Sequence, residues 1–412
     1  MMPQTILYII LAITIAGYVF DQLLDYINLR TQRREIPDEV ATFYDRGRYL
    51  KSLDYHAELT RFSFLTSAFS FLLSVGMLWF GGFGWLDNWL ATAIPGTILR
   101  SLTFFGILAV GSDILNLPFQ LYSVFVIEEK YGFNKTTLRT FFIDKIKGYF
   151  LGALIGGALL SILIYLILIL DRNFWIWFAM ITSAFVLFAN MFYTSLIVPL
   201  FNKLEPLPDG ELKTEIEKFA AKVNFPLDNI FVIDGSKRSS KANAFFSGIG
   251  KRKKIVLYDT LINNHSTAEL VAVLAHEVGH YKKRHIIVSY LLSVVQIVFT
   301  LFVLSLMVFN ENVSLALGGT SLSIPLNLVA FGILFSPVSG ITGLLMAILS
   351  RKNEYEADAY ARETYDGGSL AQALKKLSVD NLSNLYPHPL YVFFHYSHPP
   401  LLARLRALNS PT

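Results

Sequence analysis

A chain of 412 residues that is 53% hydrophobic and only 16% charged has too little polar side-chain surface to coat a water-soluble body of its size. A net charge of +4 gives no reason to expect a nucleic-acid partner. The absence of cysteine removes disulfides, thiolate metal sites, cysteine nucleophiles and a prenylatable C-terminal box, so any zinc site must be built from His and carboxylate ligands.

A helix needs about 20 mostly apolar residues to cross the hydrocarbon core. Seven stretches qualify, at 5–24, 62–83, 99–117, 149–170, 174–200, 286–309 and 326–349. No Lys or Arg precedes the first and no small-residue cleavage site follows it, so it reads as a retained span and not a signal peptide. The connecting segments separate by charge. Segments 84–98, 171–173 and 310–325 hold one basic residue, Arg172, and Arg100 lies just inside the third span; the other 33 of the 35 Lys and Arg fall in or beside the opposite set. The positive-inside rule then puts segments 25–61, 118–148, 201–285 and the tail from 350 in the cytoplasm, and the N-terminus outside.

Residues 201–285 form the longest polar insertion. Pro206, Pro208, Asp209 and Gly210 mark a turn, residues 211–223 have helical spacing, and 229–233 read as a strand. Two further strands, 242–247 and 254–258, flank a turn at 248–253. Ser266 followed by Glu269 is a capping box, and the helix it opens is expected to run from 267 to about 285, almost directly into the sixth span.

That helix carries His276-Glu277-Val278-Gly279-His280, the pattern HExxH. Residues four apart share a helix face, so two imidazoles can hold one tetrahedral metal ion. Glu277 lies on the flank, within reach of a water at the metal, where it can act as general base and then acid. A third ligand is offered by Glu354, just past the seventh span. Asp358 shares its face and can accept the distal N–H of a metal-bound imidazole, while Glu356 points elsewhere. The competing reading makes this an acidic helix start that favours the helix dipole. His285 lies about 140° round a continuous helix from His280, which favours an interfacial or solvated role. His265 and His56 read as surface residues. His398, in Ser397-His398-Pro399-Pro400, also reads as surface on pattern alone.

Five segments, in order, resemble the type I CAAX prenyl protease family of integral-membrane zinc endopeptidases: IEEKYGFNKTT at 127–137, SKRSSKANAFFSGIGKRKKIVLYDTLI at 236–262, LAHEVGHYKKRH at 274–285, SRKNEYEADAYA at 350–361 and YSHPPLLARLRAL at 396–408. The resemblance implies that one Zn2+ is bound by His276, His280 and Glu354, with Glu277 as general base and acid. It places Asp358 behind the ligands and turns His398 toward the site to stabilise the oxyanion, against the pattern reading. Arg404 would organise the tail by ion pairing, and Asn243 and Ala244 would align substrate. The implied fold is an all-α membrane protein of seven transmembrane helices enclosing a hydrated chamber, with a cytoplasmic zinc-protease domain containing a small β-sheet. Asp113, Asn116 and Asn190 within the spans could face such a chamber or bond helix to helix.

The corresponding division is a five-span membrane domain at 1–200, a metalloprotease segment at 201–285, the last two spans at 286–349 and a ligand-bearing tail at 350–412. The implied substrates are prenylated proteins that lose a C-terminal tripeptide, or a related membrane-associated peptide or protein. The length and the lack of an ER-retention tail favour a bacterial cytoplasmic membrane; the endoplasmic reticulum membrane would apply in a eukaryote. The rivals are a membrane quality-control zinc peptidase, which has fewer spans, and a site-2-type intramembrane protease, whose Asp-Gly motif is misplaced here. A transporter or scaffold with a structural metal site would need a fourth protein ligand.

Overall fold

The computed structural model describes residues 1–247 and 253–409, and most of it is helix. Five helical runs are long and apolar enough to cross a membrane: Pro3–Arg30, Arg46–Trp79, Thr97–Tyr131, Leu138–Phe201 and His285–Met307. A sixth candidate is the pair Ile324–Leu334 and Ser336–Thr364, bent by 51°. The run Leu138–Phe201 has 64 residues, about three times what one crossing requires. It breaks at Asp171–Asn173, where Asp171 has a positive φ of 47°, and the arms on either side pack together through Leu163, Ile164, Phe174 and Phe178. The expected stretches 149–170 and 174–200 both fall within it.

Capping explains where the helices start. Asp45 accepts from the Arg48 N–H at 2.8 Å, and the Ser266–Glu269 box closes reciprocally at 3.3 and 2.9 Å. In the single-run spans at most 17% of the most apolar stretch is buried. Side chains such as Leu72, Ile114, Leu168 and Leu291 are left exposed, an outer surface that only lipid can cover.

The polar insertion forms a mixed four-stranded sheet in the order β1-β2-β4-β3. Strand β1 (Leu204–Pro206) pairs antiparallel with β2 (Leu227–Ile233); β2 runs parallel to β4 (Lys253–Tyr258); β3 (Ala244–Ser247) is antiparallel to β4. The last three match strands expected from the sequence. Strand β1 was expected only as a turn, and its Pro206 is tolerated because the strand is an edge. The turn expected at 248–253 lies, but for Lys253, outside the described residues.

One apolar core underlies the sheet and the HExxH helix, Thr267–Lys282. It joins Val40 and Tyr49 to Ile216, Ile255, Leu270 and Ala275, and to Leu370 and Leu405 near the other end of the chain. Within this core the HExxH helix lies against the long helix Ser336–Thr364 at unusually close range. A Cβ on Gly279 would come within 3.0 Å of the Ala357 Cα and 3.1 Å of its carbonyl oxygen. Only glycine lets the two backbones approach so closely.

The expected continuous helix from 267 into the sixth span is not found. The HExxH helix ends at Lys282, Arg284 adopts φ 61° in the left-handed region, and a new helix starts at His285. Nothing at Lys282–Arg284 announces this break, since left-handed backbone is ordinary for Gly or Asn and not for Arg.

Candidate active site

The near-contact at Gly279 brings three donor groups together. His276 and His280 project from one helix face and Glu354 from the facing helix. The His276 and His280 Nε2 atoms are 3.2 Å apart, His276 Nε2 is 3.5 Å from Glu354 Oε2, and His280 Nε2 is 3.3 Å from Glu354 Oε1. Among the described residues these three form a cluster able to hold a metal ion. Glu354 Oε2 is buried and has only the longer contacts to Arg404 Nη1 at 3.4 Å and His276 Nε2 at 3.5 Å, so close hydrogen bonds do not fully meet its charge.

Behind the donors lies a buried ion pair. His276 Nδ1 is 2.8 Å from Asp358 Oδ1. Arg404, from the helix Leu401–Asn409, grips Asp358 in a fork, with Nη2 at 2.6 Å and Nε at 2.9 Å, and its Nη1 is 3.4 Å from Glu354 Oε2. Asp358 and Arg404 are both buried, so pairing is what makes their charges tolerable. Electrostatics follow from the packing. Burial alone would raise the Glu354 carboxyl, but hydrogen bonds from His276 and His280 hold it well below the usual carboxylate range. Burial works against a charged His276, yet bonding to Asp358 and Glu354 lifts it to about 9. Asp358 is likewise lowered by His276 and Arg404 against the opposing effect of burial.

Glu277 is half-buried and lines, with His280 and Ser397, a cavity of about 710 Å³. The cavity reaches from these residues toward the membrane helices, past Asn190, Tyr290 and Met346. His398 is largely exposed, with its Nε2 3.3 Å from Glu354 Oε1 and its Nδ1 2.9 Å from the Ser397 hydroxyl. The pattern reading of His398 as a surface residue was therefore incomplete: it is exposed, but on the side that faces the donors. Phe245 of the edge strand β3 lines the same cavity. The Asn243 carbonyl accepts from the Tyr258 N–H at 3.1 Å, which directs it toward β4. By strand alternation the Ala244 N–H and C=O face the free edge, where the Asn243 side chain accepts from the Ala244 N–H at 2.9 Å.

Three histidines depart from expectation. His285 is buried, not solvated, with its Nδ1 3.0 Å from His280 Nδ1, because the break at Arg284 swings it back toward the HExxH helix. Its Nε2 is 3.1 Å from Glu356, so that carboxylate joins the cluster through His285. His265 is also buried, 3.0 Å from the Leu261 carbonyl oxygen, and His56 is half-buried 2.7 Å from that of Leu382. Of the intramembrane polar residues, Asn190 borders the cavity, Asp113 pairs with Lys145 at 2.6 Å, and Asn116 bonds the Ser112 carbonyl of its own helix.

An HExxH pair and a carboxylate from the facing helix, beneath a bundle of lipid-facing helices, define a metalloprotease built into a membrane. Residues 25–203 match the profile described as the CAAX prenyl protease N-terminal region with five membrane helices, and residues 206–412 match that of peptidase family M48. The chain is 34% identical to the probable CAAX prenyl protease 1 of Schizosaccharomyces pombe, over 98% of its own length and 88% of the relative's. It is 34% identical to the CAAX prenyl protease 1 of Saccharomyces cerevisiae, covering 97% and 94%, and 33% identical to the human homologue, covering 91% and 89%. The crystal structure of S. mikatae Ste24p superposes with a TM-score of 0.91 at 34% identity, covering 98% of this chain and 99% of that one. The chain belongs to peptidase family M48 and is an integral-membrane metalloendopeptidase of the CAAX prenyl protease type. A transporter or a scaffold with a structural metal is thereby set aside.

Proposed function

We propose that this protein uses one zinc ion, bound by His276, His280 and Glu354, to remove the C-terminal tripeptide from prenylated CAAX proteins or a related membrane-associated substrate. The observation that carries the metal reading is the donor triangle. One donor atom from each of the three residues lies within 4.8 Å of the others, and the shortest contacts, 3.2 Å between the imidazoles and 3.3 and 3.5 Å to the two Glu354 oxygens, are of the size that separates ligands about 2.0–2.2 Å from one zinc ion. Three protein ligands leave one position open, which is the arrangement of a catalytic site and not of a structural one.

When bound, zinc supplies Lewis acidity toward the scissile carbonyl and acidifies water. Glu277, beside His280 on the cavity wall, takes the proton of the attacking water and delivers it to the leaving amine nitrogen. His398 approaches from the exposed side and donates to the oxygen that gains negative charge. Asp358 holds the proton on His276 Nδ1, leaving Nε2 free to ligate, and Arg404 fixes the Asp358 rotamer through its fork. An extended substrate adds to β3 through the Ala244 backbone groups, with Asn243 giving up its contact to the Ala244 N–H.

Counting Leu138–Phe201 as two crossings and the bent pair as one gives seven spans, and the cavity is the part of an enclosed, hydrated chamber nearest the metal. The division into 1–200, 201–285, 286–349 and 350–412 follows those spans, the second and fourth parts joining in one protease domain. The basic loops support a cytoplasmic position for this domain. The bacterial cytoplasmic membrane remains the proposed location, with the endoplasmic reticulum membrane as its equivalent in a eukaryote. A lipid-modified peptide partitions into the cytoplasmic leaflet and gains access between helices there.

The test is metal content and cleavage of farnesylated and plain peptides by detergent-purified protein. Wild type should hold one zinc and cut, Glu277→Gln should hold zinc without cutting, and Glu354→Ala should lose zinc. A zinc-free wild type, or normal cleavage by Glu277→Gln, overturns the site assignment; equal cleavage of both peptides overturns the prenyl requirement alone.

A further inference from the structure

The two histidines of the donor triangle are backed differently. His276 leans on the Asp358–Arg404 ion pair. Among the described residues His280 has no carboxylate at its Nδ1; the group there is another imidazole, His285 Nδ1 at 3.0 Å. The far nitrogen of His285, Nε2, is 3.1 Å from Glu356 Oε2. Glu356 in turn lies 3.7 Å from Lys352, one turn back on the same helix. The rings of His280 and His285 meet edge to face at 5.1 Å and 73°.

We infer that His285 and Glu356 form a second positioning arm, a His280–His285–Glu356 relay that sets the tautomer and ring angle of His280 as a metal ligand. The inference rests on the metal reading above and follows from proton counting. With Nε2 of His280 given to the metal ion it would share with Glu354 and His276, its neutral ring must carry the proton on Nδ1. That proton can only be donated to His285 Nδ1, which must therefore be bare. His285 then carries its own proton on Nε2 and donates it to the Glu356 carboxylate. With the metal bound, one proton arrangement satisfies both contacts of the arm, and each hydrogen bond strengthens the acceptor that precedes it. The left-handed turn at Arg284 is what makes the arm possible, since in a continuous helix His285 would face away. His285 is also the first residue of the membrane helix His285–Met307, and Glu356 sits on the helix that carries Glu354. The arm thus ties three elements at the one ligand that the buried ion pair does not reach.

The experiment measures zinc affinity of the detergent-solubilised full chain by competition with a chromophoric chelator, beside thermal unfolding of the metal-stripped protein. Outer partners of metal-binding histidines are worth about 10–100-fold in metal affinity. His285→Leu should weaken zinc binding by about that factor. His285→Asn, whose Oδ1 can stand where Nδ1 stands, should recover most of it, and Glu356→Gln should stay nearer wild type than Glu356→Ala. Recovery by Asn without a matching recovery in stability of the stripped protein identifies positioning. His285→Leu binding zinc like wild type, or Asn and Leu losing affinity equally, overturns the relay. His276→Ala is the control: if it keeps full zinc affinity, the metal site itself is misassigned and the relay falls with it, whereas loss in His276→Ala beside no loss in His285→Leu refutes the relay alone.

Discussion

Replacing Gly279 by Ala tests whether the spacing of two helices sets the metal site. The added methyl would meet backbone atoms of Ala357 at 3.0 and 3.1 Å, and the Tyr360 Cβ at 3.1 Å. Backbone cannot rotate out of the way as a side-chain tip can, so the helices must part by several tenths of an ångström. Overpacking of this kind costs about 1–3 kcal/mol. Glu354 is on one of these helices and both histidines are on the other, so separation lengthens the two carboxylate edges of the donor triangle and leaves the His276–His280 edge unchanged. If the whole strain is felt in metal binding, zinc affinity falls by about 5- to 150-fold; the part not felt there appears as a lower melting temperature of the metal-free protein. Chelator competition and thermal unfolding, with and without zinc, measure both shares. Gly340→Ala is the comparison, because a Cβ there meets nothing within 4 Å on the same long helix. A Gly279→Ala protein with wild-type zinc affinity and wild-type stability would refute the argument that this approach builds the site.

Asp358→Asn removes the carboxylate that Arg404 grips and leaves its buried guanidinium only the longer contact to Glu354 at 3.4 Å; it should lower stability by up to about 3–5 kcal/mol in chemical unfolding, part of which Asp358→Asn with Arg404→Leu should restore. In metal-free protein the charged His276 imidazole, raised to about 9, contributes stability that is complete below its unfolded pKa of about 6.5 and is lost as pH rises through about 9. Melting temperature of the stripped protein should therefore decline between those limits. Because zinc takes the neutral ring, loading at pH 7.5 should release a proton, seen as a calorimetric enthalpy that depends on the buffer's ionisation heat; a buffer-independent enthalpy would contradict the raised His276. Ala244→Pro removes one edge N–H of β3 and should raise KM severalfold for peptides while zinc content stays at wild type.

Much of the site was legible because local periodicity reports it. The spacing of His276 and His280 fixes a shared face, the Ser266–Glu269 box fixes the helix start, and Glu354 and Asp358 repeat the four-residue spacing on a second helix. Arg404 and His398 were not legible by pattern, since their roles depend on where the tail docks, more than forty residues after Glu354; only the family resemblance pointed to them. His285 departs from its pattern for a different reason, while Glu356 points away from the Glu354 face as expected and meets His285 there. The angle between His280 and His285 was reckoned on an unbroken helix, and a single arginine in the left-handed region changes that angle. The spans were visible in composition, and so was the joint at Asp171–Asn173, a polar segment between two apolar stretches; the 51° bend before Ser336 was not, since it falls inside the expected span 326–349.

The core beneath the HExxH helix draws on Val40 and Tyr49 from before the second long helix, on Leu270 and Ala275, and on Leu405 from the final helix. These residues leave the ribosome at opposite ends of synthesis. Much of the motif's floor is therefore made before the motif itself, while Leu405 follows it, and Arg404, which fixes Asp358, arrives among the last. A partly translated chain already threaded through the membrane holds its hydrolytic residues unassembled. Any chain that stops short of its last helix lacks Arg404 and the Leu405 side of this core, so completion of the site waits for the two ends to meet.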